Sequence, residues 1–482
     1  MERKHIGWKQ KVQRWARVFA GLAGLGILLL GGCAVGPNYK RPPLDSPAGY
    51  RSESAAATNS FGDLPWWEVF HDEKLKGLIR VALTNNYDVR IAAARVVQAQ
   101  AMVAEARSQF LPQVNYEAAL GRGRNVGASG TLSPGSGSGQ AFAGSIGAAW
   151  ELDLFGRIRR LTESARAQFF ATEEARRFVT ISLVAQVAQN YFQLLALDRE
   201  LSIAKEATNS FGESLKIFDE RLKGGVASKL ETSSAEALLD SAAATIPDLE
   251  RQIEQTENQL GVLLGQNPGR IIREGAVLEK QELPEVPAGL PSTLLERRPD
   301  IRQAEQLLRS ANALLGVAEA NFFPRLSLSG LIGQVSPELA TITAGSAFAW
   351  QAAASLTGPL FHGGQLKAQY QEAKAAREQA VLQYQQTVLY AFQEVANALI
   401  ARQKLAAARA QQERAVAAYQ EAAKIALERY RQGQSSYYEV LQEQQLLFPA
   451  ETTLAQTQLN QLTAIVQLYR ALGGGWNNTD AK

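Results

Sequence analysis

Few side chains in these 482 residues carry reactive chemistry. There is one cysteine, Cys33, and there are three histidines, His5, His71 and His362. A zinc site needs several Cys or His ligands at short spacing, and a nucleophile needs a base beside it. Neither pattern occurs, because the three imidazoles stand far apart in the chain. A stretch at 121–140, GRGRNVGASGTLSPGSGSGQ, places glycines at Gly121, Gly123 and Gly127. It lacks phosphate-loop spacing and no βαβ unit surrounds it. It reads as a flexible surface loop. The residues supply no catalytic kit, no metal site and no cofactor site, so the chain reads as a non-enzyme.

The one thiol has a different use. Residues 1–17 carry Arg3, Lys4, Lys9, Lys11, Arg14 and Arg17 against Glu2, and Val18 to Gly31 is an uncharged, mostly apolar run. A basic segment followed by a short apolar core reads as an export signal. The run is shorter than the ~20 residues of a comfortable bilayer span. It ends in Leu30-Gly31-Gly32-Cys33, which resembles a bacterial lipobox whose cysteine is acylated after cleavage. A lone cysteine makes no intrachain disulfide. Ala34 follows it, and by the same resemblance this favours sorting to the outer membrane. Removing residues 1–32 takes the formal net charge from +3 to −2. The basic balance therefore belongs to the leader, and nucleic acid loses its electrostatic case as a partner.

The rest of the chain is written twice. NNYDVRIAAARVVQAQAMVAEARSQFLPQ (85–113) matches RRPDIRQAEQLLRSANALLGVAEANFFPR (297–325), with Asp88 on Asp300 and Pro112 on Pro324, 212 apart. ERLKGGVASKLE from Glu220 matches ERYRQGQSSYYE from Glu428, and Leu264-Gly265 matches Leu472-Gly473, both 208 apart. That period suits duplication of one large unit rather than a solenoid. Each copy starts with a helical stretch, Asp88–Phe110 or Asp300–Phe322, stopped by a proline. Period-2 alternation follows: Val114, Tyr116, Ala118 and Leu120, then Phe142, Ile146, Ala148 and Trp150. The second copy has Leu326, Leu328 and Ile332, then Phe348, Trp350, Ala352, Ala354 and Leu356. Such ten-residue alternation suits transmembrane strands, one hairpin per copy. Tyr116, Trp150, Phe155, Phe348, Trp350 and Phe361 stand where interfacial girdles would form.

Long helical runs come next. Arg157 to about Leu222 holds no proline and one glycine, and Gln365 to Gln432 holds neither. Each reaches about 100 Å if unbroken. Glycine turns at Gly224-Gly225 and at Gly433 lead into returning runs, Ser228–Leu264 and Ser435–Leu472, expected to break or kink at Pro247 and Pro449. The Ala, Gln, Glu and Arg surfaces suit close helix packing with water on more than one side. The order of parts divides the chain into a leader (1–32), an N-terminal segment (33–84), a helix (85–112), a β-hairpin (113–155) and a helical hairpin (156–264). A linker (265–298), helix (299–323), β-hairpin (324–361), helical hairpin (362–472) and tail (473–482) complete it.

The succession CAVGPNYKRP, PWWEVFHDEKL, WELDLFGRIRR, ERRPDIRQAE and GPLFHGGQLKA resembles the TolC-like outer membrane efflux proteins, most closely their lipoprotein (NodT-type, OprM-like) branch. The resemblance covers nearly the whole mature chain. It implies a mixed, mainly α fold: a trimeric 12-stranded β-barrel in the outer membrane, continued by a 12-helix α-barrel through the periplasm, with an equatorial domain. It implies a passive exit duct for drugs or other small molecules, fed by a periplasmic adaptor and an inner-membrane transporter of the RND type. Outer membrane lipid is the other partner. A duct for type I protein secretion and a structural coiled-coil lipoprotein stand as alternatives. The same resemblance implies that the tips around Arg221, Gly224, Gly225 and Val226, and around Arg429, Gln432 and Gly433, meet the adaptor. It further implies a periplasmic gate at Glu439 and Gln442, with Ser435 at a position often basic in the family and Tyr430 adding bulk. Gln442 departs from the acidic residue expected there.

Overall fold

A computed structural model describes residues 34–44, 47, 49–50, 61–124, 138–281 and 291–474. In chain order its main elements are α1 (Trp66–Val69), α2 (Glu73–Asn85), α3 (Tyr87–Ser108), β1 (Gln113–Arg124), β2 (Ser138–Leu152), α4 (Arg157–Lys223) and α5 (Lys229–Leu263). Then come α6 (Pro291–Arg297), α7 (Pro299–Ala320), β3 (Arg325–Ser336), β4 (Phe348–Thr357), α8 (Gln365–Arg431) and α9 (Tyr437–Ala471). The duplication appears in element lengths. Helices α3 and α7 each have 22 residues, α4 and α8 each 67, α5 and α9 each 35.

Two expectations need correction. The stretch 121–140 is not all loop, since β1 runs to Arg124 and β2 begins at Ser138. Continued antiparallel pairing, Gly121 to Ala141 and Arg122 to Gln140, carries the ladder beyond the sequence alternation. Positions 125–137 lie outside the described residues. Helices α5 and α9 also do not end at their prolines: both run through Pro247 and Pro449. A proline removes one intrahelical hydrogen bond.

The described residues form two compact units. The first comprises, among the described residues, 34–43, 96–124, 138–172 and 304–384, and holds the sheet. Its four strands are antiparallel in the order β1-β2-β3-β4. Tyr116 pairs with Ile146, Ile146 with Ile332, and Ile332 with Trp350, so one row crosses all four strands. Directly opposed residues share a face. The apolar sets of both copies therefore coincide on one face, where Tyr116 is 87 % and Trp350 70 % exposed. The opposite face carries small or polar residues such as Asn115, Glu117, Ser145, Gly147, Gly333 and Gln351, with Leu331 and Val335 the large exceptions. At Gly333 a Cβ would fall 2.4 Å from the Gly144 carbonyl oxygen, so only glycine fits. Strands of 12 residues reach about 40 Å, enough to cross a hydrocarbon core at the usual tilt.

An N-terminal strap lies along α4 and α7 in this unit. Arg160 is buried and donates to the carbonyls of Val35 (3.1 Å) and Gly36 (2.9 Å) and to Asn38 Oδ1 (3.0 Å). Asn312 Nδ2 donates to the Pro37 carbonyl at 2.7 Å. Gly36 has φ +93°, and a Cβ there would fall 2.5 Å from Gly316 Cα, so a side chain at Gly36 would push the strap off. Burial pushes the Glu305 carboxyl up, but hydrogen bonds from Arg41 and Arg309 outweigh burial and hold it below its ordinary value. Cys33 itself lies outside the described residues. Two residues on, the Val35 amide donates to the Phe155 carbonyl at 3.0 Å, so the strap starts beside the β2–α4 junction.

The second unit comprises, among the described residues, 44, 47, 49–50, 61–95, 173–281, 291–303 and 385–474. Asp72 caps α2, accepting from the amides of Lys74 (2.8 Å) and Leu75 (3.3 Å), and its other oxygen accepts from the Tyr191 hydroxyl at 2.6 Å. Burial first, then that hydrogen bond, raises the Tyr191 pKa far above its usual value. Leu75, Ile79, Leu194, Ile301 and Leu468 fill the core. No described helix is long and apolar enough to cross a membrane.

Candidate functional site

The helical hairpins of the second unit end in two turns built alike. In the first, the Gly225 amide donates to the Leu222 carbonyl (3.0 Å) and the Val226 amide to the Arg221 carbonyl (3.0 Å). In the second, Gly433 donates to Tyr430 (2.9 Å) and Gln434 to Arg429 (2.8 Å). This double bond pattern is a Schellman ending, whose left-handed residue is a glycine for lack of a Cβ. Gly225 and Gly433 both have φ +74°. Their added Cβ atoms would meet nothing within 4 Å, so the glycines serve the backbone and not packing. Gly224, Gly225, Val226, Arg429, Gln432 and Gly433 are all exposed.

The structure joins the two tips through residues that are far apart in the chain. Arg221 Nη2 donates to the Tyr430 carbonyl at 2.7 Å, and its guanidinium lies 4.1 Å from the Tyr430 ring centroid. Beneath it Phe218 meets Tyr430 edge to face, with centroids 5.0 Å apart. Ala235, Ala426, Val440 and Leu441 complete this small core. Tyr430 is therefore only 3 % exposed. The Tyr430 ring packs the two hairpins together at their tips. Burial raises the Tyr430 hydroxyl pKa, and the neighbouring Arg221 charge opposes that rise.

The other residues of the expected gate stand apart from this core. Glu439 and Gln442 are exposed on the first turns of α9. Ser435 Oγ donates to the Ala426 carbonyl at 3.3 Å, which ties it to α8. The repeat supplies a comparison for Glu439. Its counterpart 208 residues earlier, Glu231, accepts from the Ser228 amide at 3.2 Å and closes the start of α5. Glu439 makes no such bond to Ser436 among the described residues. One copy spends its glutamate on a cap, and the other leaves the carboxylate facing water.

A buried polar link above the tip was missed by sequence reasoning. Gln444 is 5 % exposed, and its Nε2 donates to Ser210 Oγ (3.1 Å) and Ser214 Oγ (2.9 Å). A glutamine in a Gln-rich helix carries no local mark of burial, so no sequence signal would have found it. At the first tip the Ser228 hydroxyl and amide are both spent on Glu231, as the helix cap. The chemistry of the tips is that of a surface with a shaped backbone and an unpaired carboxylate, suited to binding and to steering ions.

Comparison with known proteins gives concordant results. A family profile described as outer membrane efflux protein matches residues 78–266 and 290–474. The toluene efflux pump outer membrane protein TtgC of Pseudomonas putida is 36 % identical over 454 residues, covering 93 % of this chain and 94 % of that protein. The cation efflux system protein CusC of Escherichia coli is 34 % identical over 453 residues, covering 93 % and 97 %. The solved outer-membrane channel OprN superposes with a TM-score of 0.84 at 32 % identity, covering 92 % of this chain and all of that one.

Proposed function

This chain belongs to the outer membrane efflux protein family, and we propose that three copies form the exit duct of a tripartite efflux pump. The family is one of outer membrane efflux channels, not enzymes. The observation that carries the assembly is the sheet: it is apolar on one face, small and polar on the other, and its edge strands β1 and β4 each pair on one side only. Unpaired strand edges are not tolerated in lipid, where backbone groups have no water to bond. Four strands from each of three copies close a 12-stranded barrel with its apolar face outward. The helical hairpins then wall the periplasmic tunnel, and the paired tips receive a periplasmic adaptor and an RND-type transporter. Small solutes are the cargo, in keeping with relatives named for toluene and for cations.

Purified protein in planar bilayers tests this reading. A steady current from trimers is expected, and trimers that insert without conducting would overturn it. Three copies of Glu439 around the axis form a ring of like charge, which favours cations. In the same bilayers Glu439→Gln is expected to reduce cation over anion preference, on the order of twofold, and to weaken block by divalent cations. Unchanged selectivity and block remove Glu439 from the opening.

Acylation of Cys33 belongs to the same proposal, with the barrel as main anchor and the lipid as a second one. Mass spectrometry of the mature N-terminus is expected to show a modified cysteine preceding Ala34. An unmodified Cys33 refutes this part alone.

A further inference from the structure

The first unit contains a cavity of about 510 Å³ that the duct does not explain. It is lined by Arg107, Arg159, Arg166 and Arg309, with Phe110 and Phe170 as its apolar wall. Charge matching inside it is incomplete. Arg159 pairs with Asp153 at 3.1 Å and Arg309 with Glu305 at 2.8 Å. The acid on the wall, Glu163, is taken by Arg160 at 2.7 Å. Arg107 and Arg166 pair with no carboxylate among the described residues. Two uncompensated guanidiniums in one concave site attract an anion, and their planar forks suit phosphate oxygens.

The position of the cavity narrows the anion. Arg107 stands on the last turn of α3, just before β1 starts at Gln113, and Arg159 follows the end of β2 at Leu152. Aromatic residues mark the same level: Trp150 Nε1 donates to the Phe110 carbonyl at 2.9 Å, and Phe155 stacks on Phe323 with centroids 4.8 Å apart. Such residues gather where hydrocarbon gives way to headgroups.

We propose that this cavity binds the phosphate of an anionic phospholipid of the periplasmic leaflet, held by Arg107 and Arg166 with acyl carbons against Phe110. The proposal rests on the reading of the sheet as membrane-spanning. Its consequence is a seat for lipid beside the strap, which ties the barrel base to the leaflet around it.

The test uses the full-length assembled protein, exposed to equal amounts of phosphatidylglycerol and phosphatidylcholine in detergent, with retained lipid measured by native mass spectrometry. The parent is expected to retain phosphatidylglycerol preferentially. Arg107→Gln with Arg166→Gln is expected to lower that preference on the order of tenfold, since two charge-assisted contacts are lost. The double lysine variant, Arg107→Lys with Arg166→Lys, is expected to keep most of it. Equal retention by parent and glutamine variant overturns the proposal. In a parallel arm, protection of these arginines from phenylglyoxal by inorganic phosphate but not by phosphatidylglycerol assigns a soluble phosphate and overturns the lipid. Bilayer currents are expected to be unchanged in the variants, so loss of lipid preference is read separately from failure of the duct.

Discussion

Arg298→Met is expected to destabilise the protein by about 3 kcal/mol, seen as a lowered thermal midpoint and as less trimer surviving on unheated gels. The side chain is 5 % exposed and makes four bonds. Nε and Nη2 grip Asp300 at 3.0 and 2.6 Å, while Nη1 donates to Glu394 (2.8 Å) and to the Ala471 carbonyl (3.0 Å). Ala471 ends α9, where carbonyls lack intrahelical partners. One guanidinium thus joins the start of α7, the middle of α8 and the end of α9. Burial alone would lower the Arg298 pKa, but Asp300 and Glu394 outweigh it and raise it, so the charge is retained. Methionine fills similar space and leaves two carboxylates and a carbonyl without their donor. The effect stays at the lower end for a buried pair because Glu394 is 40 % exposed and rehydrates. Arg298→Lys is expected to fall between, since an ammonium cannot reproduce the fork on Asp300. A midpoint equal to the parent's would refute the hub.

The second large effect concerns export and leaves stability nearly untouched. Gly225→Val is expected to return drug susceptibility close to that of cells lacking the channel, with normal amounts of trimer. Its φ of +74° is costly for a β-branched residue, by about 1–2 kcal/mol. A Schellman turn with no packing around it relieves that strain by reshaping the tip, so the cost falls on the surface proposed above to meet the adaptor. Val226→Trp tests the same surface without touching the backbone, because Val226 is 77 % exposed. Crosslinking to the adaptor is expected to drop for both variants. Full resistance with either variant, at parental trimer levels, removes the first tip from the coupling surface.

Features that depend on a few neighbouring residues were legible in the sequence. The duplication could be read from Asp88 with Asp300 and Pro112 with Pro324. The strand faces followed from alternation, since side chains switch sides at every residue. The turns at Gly225 and Gly433 followed from glycine's access to positive φ. The lipobox reading of Cys33 also came from the sequence, and it lies outside the described residues.

Only the tertiary structure decided which distant pieces meet. Nothing local in β2 or β3 says that Phe142 pairs with Ser336, or that two hairpins from different copies form one sheet. Nothing near Arg221 announces Tyr430 as its partner, since that pairing depends on two hairpins lying side by side. The same packing buries Tyr430 between the hairpins. The structure also separates Glu231, which caps its helix, from Glu439, which does not, although both have the same place in the repeat. Local conformation is set by residues within a turn or two of each other. Burial and pairing are set by whichever surfaces exclude water together, and that choice belongs to the whole chain.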